Sequence, residues 1–224
     1  MRVVIAGGHG KIALLLSGLL AGQGDTAVGL IRSEAHTADL QAAGAQAAVL
    51  DLEHSDAAQV ARVLEGADAA VFAAGAGPGS GAQRKYTVDL GGAVLLAQAA
   101  QHAGVRRFVQ ISSMGAGRPA PAGSDESWTA YIDAKTRAEE DLRARDLDFT
   151  ILRPGGLTAE PGTGLVTLSA GSLPRGTVPR RDVAAVVMWL LSTGAAAGLT
   201  LELTGGATPV SEAVAAFAGP ARGQ

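Results

Sequence analysis

The chain has 224 residues, with 18 Lys+Arg against 21 Asp+Glu, a net charge of -3 and no cysteine. This length supports one substantial core, and the missing cysteines exclude disulfides, thiolate metal sites and a thiol nucleophile. No basic block follows a phosphate backbone, so nucleic acid is not an expected partner. The N-terminus offers only Val3 to Ala6 before a run of glycines, too short for a secretory signal, and no segment reaches the roughly 18 apolar residues of a membrane helix. A cytoplasmic protein without a membrane partner is expected.

Short apolar runs alternate with longer runs at helical spacing along the whole chain. Strands are expected near Arg2 to Ala6, Ala27 to Ile31, Ala47 to Leu50, Ala69 to Ala73, Arg107 to Ile111, Phe149 to Leu152 and Leu199 to Leu203. Helices are expected between them at Lys11 to Ala21, Ala35 to Ala43, Asp56 to Leu64, Tyr86 to His102, Trp128 to Arg145, Asp182 to Ser192 and Ser211 to Phe217. This βαβ series predicts an α/β fold, a doubly wound parallel sheet of about seven strands with helices on both faces, as a single domain over residues 1–224. Asp56 and Asp182 are candidate helix N-caps, Gly44 and Gly104 suit the left-handed position after a helix, and Pro154 ends the sixth strand. The Gly/Pro-rich residues 155–181 read as a loop, and a loop of that length is usually functional.

The first chemical signal is "AGGHGKIA". Gly7, Gly10 and Ala13 follow a strand at G-x-x-G-x-x-A spacing, so a backbone free of side chains can approach a pyrophosphate at the start of the next helix. Gly8, His9, Lys11 and Ile12 belong to the same turn, His9 as a turn residue with no proton-transfer role. The second strand ends in Arg32-Ser33 where an acidic residue would hold the ribose of NAD, which favours NADP(H), with NAD(H) as the alternative. In "LDLEH", Asp51 either accepts from an adenine amino group or only begins a turn, and Leu52 is placed to pack on the ring. The loop "FAAGAGPG" puts Ala73, Ala74 and Gly75 at the carboxyl edge of the sheet, beside the ribose and second phosphate.

The second signal is "YIDAK", which sets Tyr131 and Lys135 four apart on one helical face. An ammonium beside a phenol favours the phenolate and can bind a nicotinamide ribose, making the tyrosine an acid for a carbonyl oxygen. "QISSMGA" ends the fifth strand with Ser113 placed for the same oxygen and Ser112 turned toward the cofactor. His36, His54 and His102 stand singly, and no metal-ligand cluster is visible.

These segments, with "VDLGGAVLLAQAAQHAGVRRFVQISSMGA", "YIDAKTRAEEDLRARDLDFTILRPGGLT" and "LELTGGATPVSEAVAAF", resemble the atypical short-chain dehydrogenases/reductases. The likeness is to their NAD(P)H-binding, NmrA-like branch, which includes biliverdin/flavin reductase-like proteins. The resemblance implies a Rossmann fold, a nicotinamide cofactor and hydride transfer to a carbonyl or related acceptor. By position it implies that Tyr131 is the catalytic tyrosine, Lys135 its helical lysine and Ser113 its hydroxyl partner. Arg153-Pro154-Gly155 then form the turn lining the nicotinamide. Some relatives in this branch lack the tyrosine or act as redox-sensing regulators, and "GRPAPAGSDESWTA" lies between Ser113 and Tyr131.

Only about 70 residues follow Pro154, which leaves little room for the substrate domain of nucleotide-sugar epimerases. The expected lid is residues 155–181, with Leu157, Leu165, Val166 and Leu173 as apolar wall. Arg180 and Arg181 either bind an anionic substrate or flank a helix cap. The function expected is an NADP(H)-dependent reductase acting on a small carbonyl, quinone or flavin-like molecule. A cofactor-sensing regulator without turnover and a small-substrate epimerase are the alternatives. The chain is expected as a monomer, or as a homodimer paired through residues 86–102.

Overall fold

A computed structural model describes residues 1–77 and 79–218, so Pro78 of the "FAAGAGPG" loop lies outside the described residues. The strands are β1 (Arg2–Ala6), β2 (Thr26–Ile31), β3 (Ala45–Val49), β4 (Ala69–Phe72), β5 (Arg107–Ile111), β6 (Asp148–Pro154), β7 (Gly156–Thr158), β8 (Leu165–Ser169), β9 (Thr177–Pro179), β10 (Leu199–Gly205) and β11 (Thr208–Pro209). The helices are α1 (Lys11–Gly22), α2 (Thr37–Ala42), α3 (Ala57–Leu64), α4 (Gly81–Arg84), α5 (Ala93–His102), α6 (Glu126–Arg143), α7 (Arg180–Thr193) and α8 (Val210–Ala215). A 3₁₀ turn at Glu34–His36 precedes α2, and a π-helical stretch at Lys85–Gly92 runs into α5.

The central sheet has nine strands in the order β11-β8-β10-β6-β5-β4-β1-β2-β3, two more than the sequence pattern predicts. The seven expected strands form its parallel body, from β10 through β6, β5, β4, β1 and β2 to β3. The additional pair comes from segments without a clean alternation: β8 adds antiparallel to β10, and β11 antiparallel to β8. A separate two-stranded ribbon, β7 with β9, forms within the expected loop. Residues 155–181 are therefore partly built of strands.

Side-chain alternation along β1 sets the two layers. Val3 and Ile5 join one core with Leu16 and Leu20 of α1 and Val183 and Val187 of α7. Val4 and Ala6 join the other, with Val60 and Leu64 of α3, Leu96 of α5 and Leu142 of α6. The chain reverses direction across the sheet between β1 and β4, and the carboxyl ends of these strands open a crevice at that switch point.

Asp56 caps α3 as expected, its side chain accepting from Gln59 N at 2.8 Å while Gln59 Oε1 accepts from Asp56 N at 2.9 Å. Asp182 does not cap its own helix. α7 begins at Arg180, and the buried Asp182 carboxylate accepts from Thr163 N and Gly164 N, both at 2.9 Å, pinning the turn before β8.

The glycines after β1 have separate reasons. Gly7 has φ +77, and a Cβ there would lie 2.6 Å from Ala74 Cα. At Gly8 a Cβ would lie 2.5 Å from Gly29 Cα, because the turn crosses directly over β2 and Gly8 N donates to Leu30 O at 2.9 Å. Gly8→Ala is expected to destabilise the protein by about 1–3 kcal/mol through overpacking against backbone, read as a lower urea midpoint. An unchanged midpoint would show that β2 yields at no cost.

Candidate active site

Two clefts meet at the switch point and share the backbone of Ala73, Ala74 and Gly75. The smaller, about 340 Å³, is lined by Gly7, His9, Gly10, Arg32, Asp51 and Leu52 among others. The larger, about 1000 Å³, contains Ile12, Ser112, Ser113, Tyr131, Lys135, Pro154 and Gly155. Most of the sequence-predicted residues thus divide into two groups along a trough of adjoining clefts, while Gly8, Lys11 and Ser33 line neither.

At the junction, α1 starts from Gly10 in extended conformation, with no side-chain cap and no acidic residue in its first turn. Its leading N–H groups and positive dipole end are therefore available to an anion, and the Gly7 turn brings the backbone close enough to deliver them. This donor set, on a turn that only a glycine at position 7 lets pack against Ala74, fits the pyrophosphate of a dinucleotide.

In the smaller cleft, His9 Nε2 lies 2.7 Å from Asp39 Oδ2 and its ring stacks on His36 at 3.8 Å. Ser33 is spent on the 3₁₀ turn, its Oγ accepting from Ala35 N at 3.3 Å. Asp51 lines the cleft and also begins a turn, accepting from Glu53 N at 3.0 Å. Partial burial pushes the Asp51 carboxyl up, but the Glu53 N–H and His54 outweigh it and hold it below the usual carboxylate range.

Glu53 closes this end of the trough, accepting from Arg84 Nη2 at 2.5 Å and Thr87 Oγ1 at 2.7 Å. No local pattern marks this strap between the β3–α3 loop and the helices beyond β4.

In the larger cleft, α6 presents Tyr131 and Lys135 on one face. Lys135 is 3 % exposed; its Nζ lies 3.2 Å from Asp89 Oδ1, donates to Ile111 O at 3.3 Å and sits 5.7 Å from the Tyr131 ring centre. The Lys135–Asp89 contact is an ion pair whose angle falls short of a hydrogen bond, while Asp89 Oδ2 accepts from Ala76 N at 3.0 Å. On the other side of the tyrosine, Lys85 Nζ lies 5.6 Å from the ring centre and donates to Gly77 O at 2.7 Å. Lys85 and Asp89 are absent from the sequence-based set, although a buried lysine and aspartate on a π-helical turn mark a functional position. Their only trace in the sequence is charge interrupting an otherwise helix-forming apolar run.

Ser113 faces the cleft, its Oγ making only a 3.3 Å bond to Met114 O, long enough for a better acceptor to displace. Ser112 departs from expectation. It borders the cleft, but its hydroxyl donates inward to Glu139 Oε1 at 2.6 Å. Glu139 also accepts from Arg153 Nε at 2.9 Å, Arg153 Nη2 at 2.5 Å and Arg143 Nη2 at 2.7 Å, so a buried carboxylate has claimed the serine. Of the four expected wall residues, Leu157 and Leu173 line the cleft, whereas Val166 is fully buried in the core and Leu165 lies away from it. Arg180 lines the cleft and Arg181 does not.

Residues 7–193 match the family described as NAD(P)H-binding. The chain belongs to that family. It is 37 % identical over 219 residues to a Bacillus subtilis protein named as an uncharacterized sugar epimerase, covering 96 % of this chain and 99 % of that one. It also resembles a solved Bacillus halodurans structure provisionally named an NAD-dependent epimerase/dehydratase (35 % identity, TM-score 0.89, 96 % and 99 % coverage). A third likeness is to an Escherichia coli O157:H7 structure named as an anaerobilin reductase (27 % identity, TM-score 0.76, 92 % and 97 % coverage). Membership in the NAD(P)H-binding family accounts for the uncapped α1 terminus and the trough. Among the described residues no helix is long and apolar enough to cross a membrane, and no acidic or histidine cluster is arranged to hold a metal.

Chiefly the Arg84 hydrogen bond, then that from Thr87, holds the Glu53 carboxyl below its ordinary value of 4.5. The unfolded chain therefore takes up this proton first as pH falls, so the contribution to stability is complete above about pH 5 and fades below 4.5. The difference in urea midpoint between the native chain and Glu53→Gln is expected to be largest at pH 6 and to shrink toward pH 3. A difference constant over that range would mean that the strap carries no charge-dependent stability.

Proposed function

We propose that the chain is an NADPH-dependent reductase that acts by hydride transfer on a small carbonyl, quinone or flavin-like acceptor. The observation carrying this reading is the convergence of Tyr131, Lys135 and Ser113 on one cleft that continues into the glycine turn and the uncapped α1 terminus. The likeness to a protein named as a reductase supports the same direction.

In this reading the N–H groups of the turn and of Lys11 and Ile12 hold the pyrophosphate. Gly7, Gly8 and Gly10 let the turn pack closely on Ala74 and β2 so that its backbone reaches the phosphates. Ala73, Ala74 and Gly75 lie along the ribose, and Pro154 and Gly155 back the nicotinamide. Asp51 and Leu52 border the adenine. Arg32, at the end of β2 beside His9 and His36, faces the position of a 2'-phosphate, and neither β2 nor the two residues after it bring a carboxylate to repel one. Bound NADPH supplies the hydride to the acceptor carbon. Ser113 and Tyr131 hydrogen-bond the acceptor oxygen, and the Tyr131 hydroxyl gives it a proton. Lys135, held by Asp89, keeps positive charge beside the phenol as that proton leaves.

The relatives named as epimerases favour a second reading, in which the oxidised cofactor would take a hydride from one substrate and return it, with the same residues moving the proton. That reaction forms product without net consumption of NADPH, so the two are separated by following absorbance at the nicotinamide band alongside product.

Tyr131→Phe is expected to lower kcat on carbonyl acceptors by about 100-fold or more while NADPH affinity stays nearly the same. Full turnover in that variant would remove the tyrosine as proton donor. Arg32→Asp is expected to weaken NADPH binding by about 1–3 kcal/mol and to spare NADH, measured by titration calorimetry. Equal losses for both cofactors would mean that Arg32 does not meet the 2'-phosphate.

A further inference from the structure

The chain as a whole is acidic, yet five basic and three acidic side chains line the larger cleft. Two of the bases are matched: Lys135 by Asp89 at 3.2 Å, and Arg118 by Glu202, also at 3.2 Å. The remaining acid, Asp125, accepts from Trp128 N at 2.7 Å and is occupied as the N-cap of α6. Lys85, Arg175 and Arg180 are left with no carboxylate within ion-pair distance among the described residues.

Lys85 is the most telling of the three. Its side chain is 7 % exposed, its ammonium donates to a backbone carbonyl, and the open side of that charge is the cleft. Burying an ammonium without a counter-ion is costly, and a ligand anion removes the cost. Arg180 stands on the first turn of the 14-residue α7, where the helix dipole disfavours a cation, so helix stability does not explain it. Arg175 reaches the same cleft from the segment before β9. Apolar surface borders the same cleft: Trp128 on α6, 42 % exposed, and Leu157 on β7, 38 % exposed.

We infer that the substrate half of this cleft selects a molecule with a flat or apolar body that carries an oxyanion, a carboxylate or a phosphate, bound by Lys85, Arg175 and Arg180. The inference rests on the reading of this cleft as a substrate site, but binding tests it without any turnover. The anion lies on the lid side, between the β7–β9 ribbon, the start of α7 and the π-helical turn, and the apolar body lies on Trp128 and Leu157. It is separate from the α1 terminus, where the cofactor phosphates sit.

The test uses the full chain saturated with NADPH, so that the cofactor's own phosphates are already placed. 2-Naphthoate, 2-naphthyl phosphate and the uncharged 2-naphthamide are titrated calorimetrically. At least one of the two anions is expected to bind about tenfold or more tightly than the amide, with the advantage falling as salt is raised. The better anion identifies the group the site takes. Arg175→Gln with Arg180→Gln, and separately Lys85→Met, are expected to cut that advantage, with folding checked by the urea midpoint. The inference is overturned by equal affinity for anion and amide, by an advantage that survives both variants, or by no binding of either anion at millimolar concentration. A protein that binds the anion yet leaves NADPH unoxidised with every carbonyl, quinone and flavin acceptor offered keeps this inference and loses the reductase reading.

Discussion

The Glu139 carboxylate fixes the geometry of everything at the carboxyl edge of the sheet. It is fully buried, and its two oxygens accept from Ser112 at the end of β5, from Arg153 at the end of β6 and from Arg143 one turn further along α6. A buried charge is tolerated only when its hydrogen-bonding capacity is filled, so α6 is held in one rotation and one height against the two strands. Tyr131 and Lys135 lie on that helix, Ser113 follows Ser112, and Pro154 and Gly155 follow Arg153. Gly117 continues the constraint: a Cβ there would meet Arg153 Nη2 at 2.6 Å, so the loop after β5 packs down on the guanidinium. One buried ionic cluster thereby positions side chains from three elements without itself facing the cleft.

A second buried pair works from the opposite wall. Asp89 joins the π-helical turn to the β4 loop through Ala76 N and to α6 through Lys135. Gly75 makes this approach feasible, since a Cβ there would already lie 3.1 Å from Asp89 Oδ1. The wider π turn sets Lys85 and Asp89 both toward the interior, four residues apart. Tyr131 consequently has a lysine on each side, one matched by a carboxylate and one not.

How much of this is legible in the sequence depends on the range of the interaction involved. The seven parallel strands and their helices follow from local periodicity, and the glycine turn from spacing next to a strand. β7, β9 and β11 are two or three residues long and exist because a partner strand is placed beside them, as Gly155 N donating to Leu203 O and Gly156 N to Gly176 O show. No periodicity can register in so few residues. Ser112 was assigned by adjacency to Ser113, but alternation along a strand end turns neighbouring side chains to opposite sides, and the acceptor on the inner side is 27 residues away. Asp182 carried a helix-cap signature and serves the turn at residues 162–165 instead, a contact only the fold creates. That Tyr131, Lys135 and Ser113 share one cleft is legible because their spacing and strand-end position are local.

The β7–β9 ribbon borders the larger cleft through Gly156 and Leu157. The β7–β9 ribbon rests on the end of β10 with almost no slack: a Cβ on Gly155 would lie 2.3 Å from Gly176 O, and one on Gly176 would lie 2.9 Å from Thr204 Cγ2. These contacts leave no room for a side chain beneath the ribbon. In the proposed mode of binding, the same 1000 Å³ also receives the nicotinamide and its ribose, so what remains suits a compact acceptor better than a nucleotide sugar. The epimerase names borne by relatives are compatible with that limit only for a small substrate.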